Sequence, residues 1–315
     1  MLGQIKLTSD GRMLDKVEAS IERLKAFEPE EGYYVAFSGG KDSQCVYHLC
    51  QMAGVKFDAH YNVTSVDPPE LIQFIKKNYP DVHWDYPRDK DGKVITMWNL
   101  IPRKNMPPTR MARYCCQYFK ESSGKYRVTV TGVRWAESAN RSSNQGVTVI
   151  IGKQKDTKKK AEELGVDYKV NKTGNIILND DNDDARQMIE HCYRTRKTLV
   201  NPIVDWDEND VWEFLNGNGI EHCCLYDQGH TRLGCIGCPL SSNRKKELEE
   251  YPKYKQNYMK AFERMLKANE AKGVVNGWKN ADEVMRWWLQ DDQNITPEQA
   301  EELMDLPYGF LSTNG

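Results

Sequence analysis

The feature that most constrains this chain is a change of rhythm at residues 33–43. Tyr33-Tyr34-Val35-Ala36-Phe37 is an apolar run of strand length, Ser38-Gly39-Gly40 breaks it, and Val46, Leu49, Cys50 and Ala53 resume at helical spacing. Strand, glycine turn and helix in that order open a parallel α/β unit. The same residues constrain the chemistry. Glycines let the backbone approach an anion closely, and the helix start behind them offers free N–H groups and the positive end of a dipole. Lys41 adds a point charge, and Ser38 and Ser43 add hydroxyl donors. Ser38-Gly39-Gly40-Lys41-Asp42-Ser43 therefore reads as a phosphate cradle. It is not a Walker A loop, because Asp42 rather than Ser or Thr follows Lys41, and it is not GxGxxG.

The alternation continues downstream. A helix spans about 13–27 ahead of the loop, and 57–63 and 82–85 read as strands. Asp67 with Pro68 and Pro69 starts a helix whose buried face is Leu71, Ile72, Phe74 and Ile75. Tyr126–Thr131 is a strand ended by Gly132. Residues 143–182 are rich in Lys, Gly and Asn and read as an insertion or hairpin with β-like pieces at 147–151 and 175–178. Helices follow at 184–196 and after Asp207, and from Asn243 the pattern is helical only, at about 244–271, 281–290 and 297–305. The expected fold is α/β: a doubly wound, mostly parallel sheet with a helical C-terminal extension. The expected divisions are a leading helix (1–31), an α/β domain (32–242, with 143–182 inserted) and a helical region (243–315).

Composition narrows the function classes. Lys plus Arg (44) nearly cancels Asp plus Glu (46), giving a net charge of −2, so the chain is no polycation for non-specific nucleic-acid binding. Local basic patches remain: Lys153, Lys155, Lys158, Lys159 and Lys160 form one, read as a solvated loop or a grip on a nucleic-acid backbone. No apolar run reaches the ~18 residues of a membrane span. The N-terminus has no apolar signal core. The expected setting is the cytoplasm, without a membrane partner.

Nine cysteines in such a setting point to metal or redox chemistry rather than a disulfide framework. Cys115-Cys116 and Cys235-Ile236-Gly237-Cys238 supply four thiolates, the number that satisfies a tetrahedral zinc or a cubane iron–sulfur cluster. Spacing does not separate the two. Arg113 and Lys120 flank the first pair, where they balance thiolates, bind an anion or lie on a solvated face. Cys45, Cys50 and Cys192 fall on apolar helix faces and read as core. Cys223 and Cys224 are left over; with His222 and Arg232 close in sequence, either suits a persulfide carrier, against the plainer reading of two ordinary thiols. Arg134 and Arg141 follow a strand end, where α/β ligands sit. Trp206 and Trp212 read as structural, and Trp287-Trp288 as packing of the last helices.

The loop resembles the PP-loop of the ATP pyrophosphatases, the adenine-nucleotide α-hydrolase superfamily. Further motifs follow in the order seen in the phosphoadenosine phosphosulfate (PAPS) reductase family. They are Arg113-Tyr114-Cys115-Cys116 with Lys120, then Gly132-Val133-Arg134 with Glu137, Ser138 and Arg141. Asn201-Pro202-Ile203-Val204-Asp205-Trp206 with Asp210-Val211-Trp212 comes next, then Tyr226-Asp227-Gln228-Gly229 with Arg232 and Gly234-Cys235-Ile236-Gly237-Cys238-Pro239. The resemblance covers about residues 33–240. It implies that Ser38, Gly39, Gly40, Lys41, Asp42, Ser43 and Arg134 bind ATP with Mg²⁺. Lys41, Ser43 and Arg134 would act in catalysis, with Cys224 as the candidate sulfur carrier. It also implies a [4Fe–4S] cluster on Cys115, Cys116, Cys235 and Cys238, zinc being the alternative, as in assimilatory adenylylsulfate reductases and the DNA phosphorothioation ATPase. The sequence departs from the sulfonucleotide reductases in one respect: no cysteine follows Cys238, so their C-terminal Glu-Cys-Gly-x-His nucleophile is missing. The expected activity is adenylation of an acceptor with release of pyrophosphate, followed by sulfur transfer from a donor such as a cysteine desulfurase. The acceptor is a nucleic acid, a nucleoside or a metabolite. The rivals are a PAPS or adenylylsulfate reductase releasing sulfite and a non-catalytic nucleotide-binding iron–sulfur subunit.

Overall fold

The structure is a computed structural model. It describes residues 6–7, 13–121, 123–124, 126–151, 154–179, 185, 188–189, 197–274 and 277–290. The expected helix at 297–305 and Cys192 lie outside the described residues. The chain divides into two compact units: residues 1–61, 73–84 and 124–232 form one, and 62–72, 85–123 and 233–315 form the other. This differs from the linear division expected from sequence. The leading helix joins the α/β unit, and the segment carrying Cys115 and Cys116 joins the C-terminal helices.

The first unit is built on an eight-stranded sheet. Its strands in chain order are β3 (Tyr33–Ala36), β4 (Phe57–Asn62), β5 (His83–Asp85), β6 (Val128–Val130), β7 (Thr148–Ile151), β8 (Lys169–Val170), β9 (Ile176–Leu178) and β10 (Lys197–Val200). They lie side by side as β5-β4-β3-β6-β10-β7-β9-β8. Strands β4, β3, β6 and β10 run parallel, while β7 and β9 add antiparallel strands at one side. Of the two readings of 143–182, the hairpin fits: β7 and β9 stand at the expected β-like pieces, pair antiparallel and extend the main sheet. The short β1 (Lys6–Leu7) and β2 (Met13–Leu14) form an antiparallel ribbon. The leading helix α1 (Lys16–Ala26) starts only after it, capped by Asp15 and Glu18 in a reciprocal box.

The strand order marks a candidate ligand site. From β3 the chain winds outward to β4, then returns to the other side of β3 through β6 and β10. The order reverses between β3 and β6, and open parallel sheets bind ligands beyond the carboxyl ends of the strands at such a reversal. The loop 38–43 leaves the end of β3, and Gly132 to Arg134 leave the end of β6. Helix α2 (Lys41–Ala53) follows the loop and buries Cys45, Val46, Leu49 and Cys50, which settles both cysteines as core. Helix α1 is tied to the segment after β10. Arg23 makes a two-pronged pair with Asp205, both contacts at 2.8 Å, and Lys16 pairs with Asp210. Trp206 is fully buried and donates to the Ser20 hydroxyl.

Lys155, Lys158, Lys159 and Lys160 of the basic run fall in helix α7 (Gln154–Glu163), not a loop, while Lys153 lies outside the described residues. There Lys159 and Lys160 pair with Glu163.

The second unit is helical. Helices α4 (Met97–Lys104), α9 (Arg244–Glu250), α10 (Pro252–Ala271) and α11 (Ala281–Trp288) surround an apolar cluster that includes Leu100, Ile101, Tyr114, Tyr258, Phe262 and Trp288. The expected helix 244–271 is two helices, because Pro252 cannot continue the first and instead opens the second. The Trp288 indole donates to the Pro108 carbonyl at 2.8 Å, so this large ring is both buried and satisfied. Among the described residues no helix is long and apolar enough to cross a membrane.

Candidate phosphate site and cysteine cluster

The loop is shaped by one glycine in the left-handed region. Gly39 has φ 72°, and Gly40 caps α2 in an extended conformation. The serines hold the turn from inside. The Ser43 hydroxyl donates to the Gly40 carbonyl at 2.8 Å and accepts from the Ser38 backbone N–H at 3.2 Å. The Lys41 backbone N–H, one of the free donors of the helix start, is met by the Tyr226 hydroxyl at 2.9 Å.

Two cations from different elements converge beside this loop. Lys41 is 4% exposed and Arg134 is 3% exposed, and cations this buried need partners. They share the same two carboxylates. Lys41 Nζ lies 3.3 Å from Glu208 Oε1 and 3.7 Å from Asp42 Oδ2. Arg134 Nε donates to Asp42 Oδ1 at 2.6 Å, and its terminal Nη2 donates to Glu208 Oε2 at 2.9 Å. Lys41 also donates to the Thr231 carbonyl at 3.1 Å and lies over the Tyr226 ring. Glu208 opens helix α8 (Glu208–Gly217), whose N-cap is Asp207, as the sequence suggested. Burial alone would raise the Glu208 carboxyl, but Lys41 and Arg134 outweigh it and hold it below the usual range.

Gly132 makes this convergence possible. A Cβ there would sit 2.9 Å from the Asp42 carbonyl carbon and oxygen, so only glycine lets the end of β6 pass this close to the loop. Arg141 pairs with Glu137 at 2.8 Å. Its guanidinium is pushed down by burial and by the nearby charges of Arg232 and Arg134.

The sequence reading missed Glu208 and the role of Trp212. The Trp212 indole N–H donates to Glu208 Oε1 at 3.2 Å, and its ring stands edge-on to Tyr226, centroids 5.1 Å apart. Trp212 is thus more than structural: it orients a carboxylate of the site. Cys223 is buried and Cys224 exposed on the turn that leads to Tyr226, so of these two Cys224 presents its thiol to solvent.

The four candidate ligand cysteines all lie in the helical unit. Cys115 and Cys116 close the one-turn helix α5 (Tyr114–Cys116), followed by a π-helical turn over Gln117–Glu121. Cys235 and Cys238 bracket a turn whose Cys238 N–H donates to the Cys235 carbonyl. Gly237 in that turn has φ 71°, and a Cβ would press on Trp288, Leu248 and Tyr258 at 3.1–3.3 Å. Among the described residues no three His, Cys, Asp or Glu side chains are grouped so as to hold a single metal ion. Cys115 donates to Cys116, and this bond, burial and the charges of Cys116, Cys235 and Cys238 raise the Cys115 thiol well above its ordinary value. The same bond, with Lys120 and Arg113 assisting, brings Cys116 down to about 6. Burial pushes Cys235 up to about 12, while Lys120 and a bond from Thr64 oppose it. The Cys235 charge in turn holds the Lys120 ammonium above its ordinary value. Arg113 and Lys120 are both solvent-exposed, and their positive charge favours the ionised form of Cys116.

Residues 32–241 match the phosphoadenosine phosphosulfate reductase domain, which is more than half of the chain. The protein belongs to that family. It is 24% identical over 284 residues to an uncharacterized protein of Methanocaldococcus jannaschii, covering 86% of this chain and 54% of that one. A probable FAD synthase of Caenorhabditis elegans is 24% identical over 234 residues, 70% of this chain and 33% of its own. An adenosine 5'-phosphosulfate reductase of Neisseria meningitidis is 45% identical over 38 residues, 12% of this chain and 16% of its own. The chain thus spans about half or less of the length of these relatives. Among solved structures, Candida glabrata FMN adenylyltransferase with FAD and inorganic pyrophosphate aligns at TM-score 0.39 and 14% identity, covering 74% of this chain and 72% of that one.

Proposed function

We propose that this protein binds ATP with Mg²⁺ at the loop 38–43 and adenylates an acceptor with release of pyrophosphate, with sulfur transfer as the sequel. The observation that carries the reading is the pair of buried cations, Lys41 and Arg134, beside a glycine loop and a helix start at the reversal of strand order. Such a site gathers donors where a leaving pyrophosphate develops charge, and donors fixed there act most strongly in the transition state. Ser38, Gly39, Gly40 and Ser43 shape the cradle, and Lys41 with Arg134 neutralises the phosphate oxygens. Asp42 and Glu208 are the carboxylates suited to Mg²⁺, which supplies further charge neutralisation when bound. Cys224, whose thiol is exposed, is the candidate sulfur carrier. The relatives named as a FAD synthase and an adenosine 5'-phosphosulfate reductase both handle adenine nucleotides by name, which supports the nucleotide. The donor set Cys115, Cys116, Cys235 and Cys238 suits a [4Fe–4S] cluster. All four ligands are thiols, cationic side chains balance them, and a cubane binds each thiolate through its own iron, so the four need not converge on one point.

The test incubates the protein separately with ATP and with PAPS, each with reductant and a panel of nucleic-acid, nucleoside and metabolite acceptors. Pyrophosphate and AMP from ATP are expected. Lys41→Ala should slow that step by roughly 3–4 kcal/mol, the cost of a lost oxyanion donor, with the fold unchanged. Sulfite from PAPS without ATP cleavage would install the reductase reading instead, which the family match keeps as its rival.

A further inference from the structure

The phosphate site is already occupied by a carboxylate from its own chain. Glu208 presents one oxygen to Lys41 and the other to Arg134, as a bridging phosphate oxygen pair would. The placement is built rather than incidental. Glu208 is in the first turn of α8, its Oε1 accepts from the Trp212 indole, and its side chain remains 53% exposed, free to swing outward. With Asp42 as the other partner, the charges of the two buried cations are cancelled in full. A bare polyanion therefore meets a site with no unmatched buried cation and must evict Glu208 into water. A polyanion arriving with a divalent cation gives that carboxylate a new counter-charge nearby.

We propose that Glu208 is a specificity-determining residue. By standing in for phosphate on Lys41 and Arg134, it excludes metal-free anions such as sulfate or free pyrophosphate and admits metal-complexed polyphosphate. The inference rests on the phosphate-site reading above and adds a selection rule to it. A site without this carboxylate would be open to any phosphate or sulfate in the cell.

The experiment is calorimetric titration of the intact protein with inorganic pyrophosphate, once with a chelator and once with excess Mg²⁺. It compares the natural protein with Glu208→Gln, Trp212→Phe and Lys41→Ala. For the natural protein, Mg²⁺ should tighten binding strongly. Glu208→Gln keeps the shape but removes the competing charge. It should tighten metal-free pyrophosphate binding by roughly tenfold or more, as expected for a lost charge-assisted competitor, and should shrink the gain from Mg²⁺. Trp212→Phe, which removes the indole donor and leaves the carboxylate, should move both values the same way by less. Lys41→Ala should weaken binding in both conditions. An unchanged ratio of the two affinities in Glu208→Gln, or weaker metal-free binding, overturns the selection rule while leaving the phosphate site standing. No pyrophosphate binding by the natural protein in either condition overturns the phosphate site and the rule together.

Discussion

Gly132 shows how much of the site depends on a single missing methyl group. The sequence presents it as the end of a strand and as part of the Gly132-Val133-Arg134 motif, and assigns close backbone approach to Gly39 and Gly40. In the structure a Cβ on Gly132 would lie 2.9 Å from the Asp42 backbone, whereas one on Gly40 would meet nothing nearer than 3.5 Å. Gly132→Ala should therefore destabilise the fold by about 1–3 kcal/mol, the usual cost of overpacking, and should weaken pyrophosphate binding by displacing Asp42. Denaturant unfolding and calorimetric titration of the variant check both; unchanged values in both would show that the loop yields freely. Glu208 was illegible in the sequence for a related reason. An acidic residue in the first turn of a helix is what the helix dipole favours anyway. Nothing local distinguishes one that caps a helix from one that also neutralises Lys41 and Arg134, more than sixty residues away in sequence.

At the scale of elements most strands of the sheet were legible, the short β5, β7 and β9 included. Strands β3, β4 and β6, helix α2 and the Asp207 cap stand where the sequence puts them. Strand β10 was missed. It is four residues long, and it exists because β6 and β7 pair with it on either side. Helix α4 was missed because its cap is Thr96 with Asn99, not the usual Glu or Gln, and because Pro102 lies inside it. Helix α7 has few buried residues, Thr157 and Ala161 among them, so its lysines hid its period. The two cysteine-bearing turns were read as a candidate ligand set, but their place in the helical unit was not legible. They belong there because Tyr114, Ile236 and Trp288 share one apolar cluster. Anaerobically purified protein should be brown and carry about four irons per chain, and Cys235→Ser or Cys116→Ser should bleach it. A colourless protein with one zinc, indifferent to air, would replace the cluster with the zinc site.

For the whole molecule, acid is the condition to which the α/β unit is most exposed. Arg127 holds the Asp58 carboxyl below its ordinary value through contacts at 2.5 and 2.8 Å. Burial would raise Asp205, but Arg23 outweighs it and holds this carboxyl down as well. A carboxyl depressed on folding stabilises fully above its unfolded value, near 3.9. That contribution fades as pH falls through the lower folded value. Stability measured by denaturant midpoint should therefore drop below about pH 4. Asp205→Asn should be less stable at neutral pH, because Arg23 is left buried without its partner, and should lose less on acidification. Parallel pH curves for the two proteins would refute this assignment. The interleaving of the two units carries a further consequence, for the chain as it is made. Synthesis releases the N-terminal part first. The loop at 38–43 leaves the ribosome long before Glu208 and Tyr226, which complete it. Cys115 and Cys116 likewise wait in the open for Cys235 and Cys238, and the Gly237 turn between those waits for Trp288 to back it. Until then two neighbouring thiols are available to any oxidant or stray ion. If the proposed cluster is present, its loading would belong to the last moments of translation or after it, and whatever delivers it would meet a nearly finished chain.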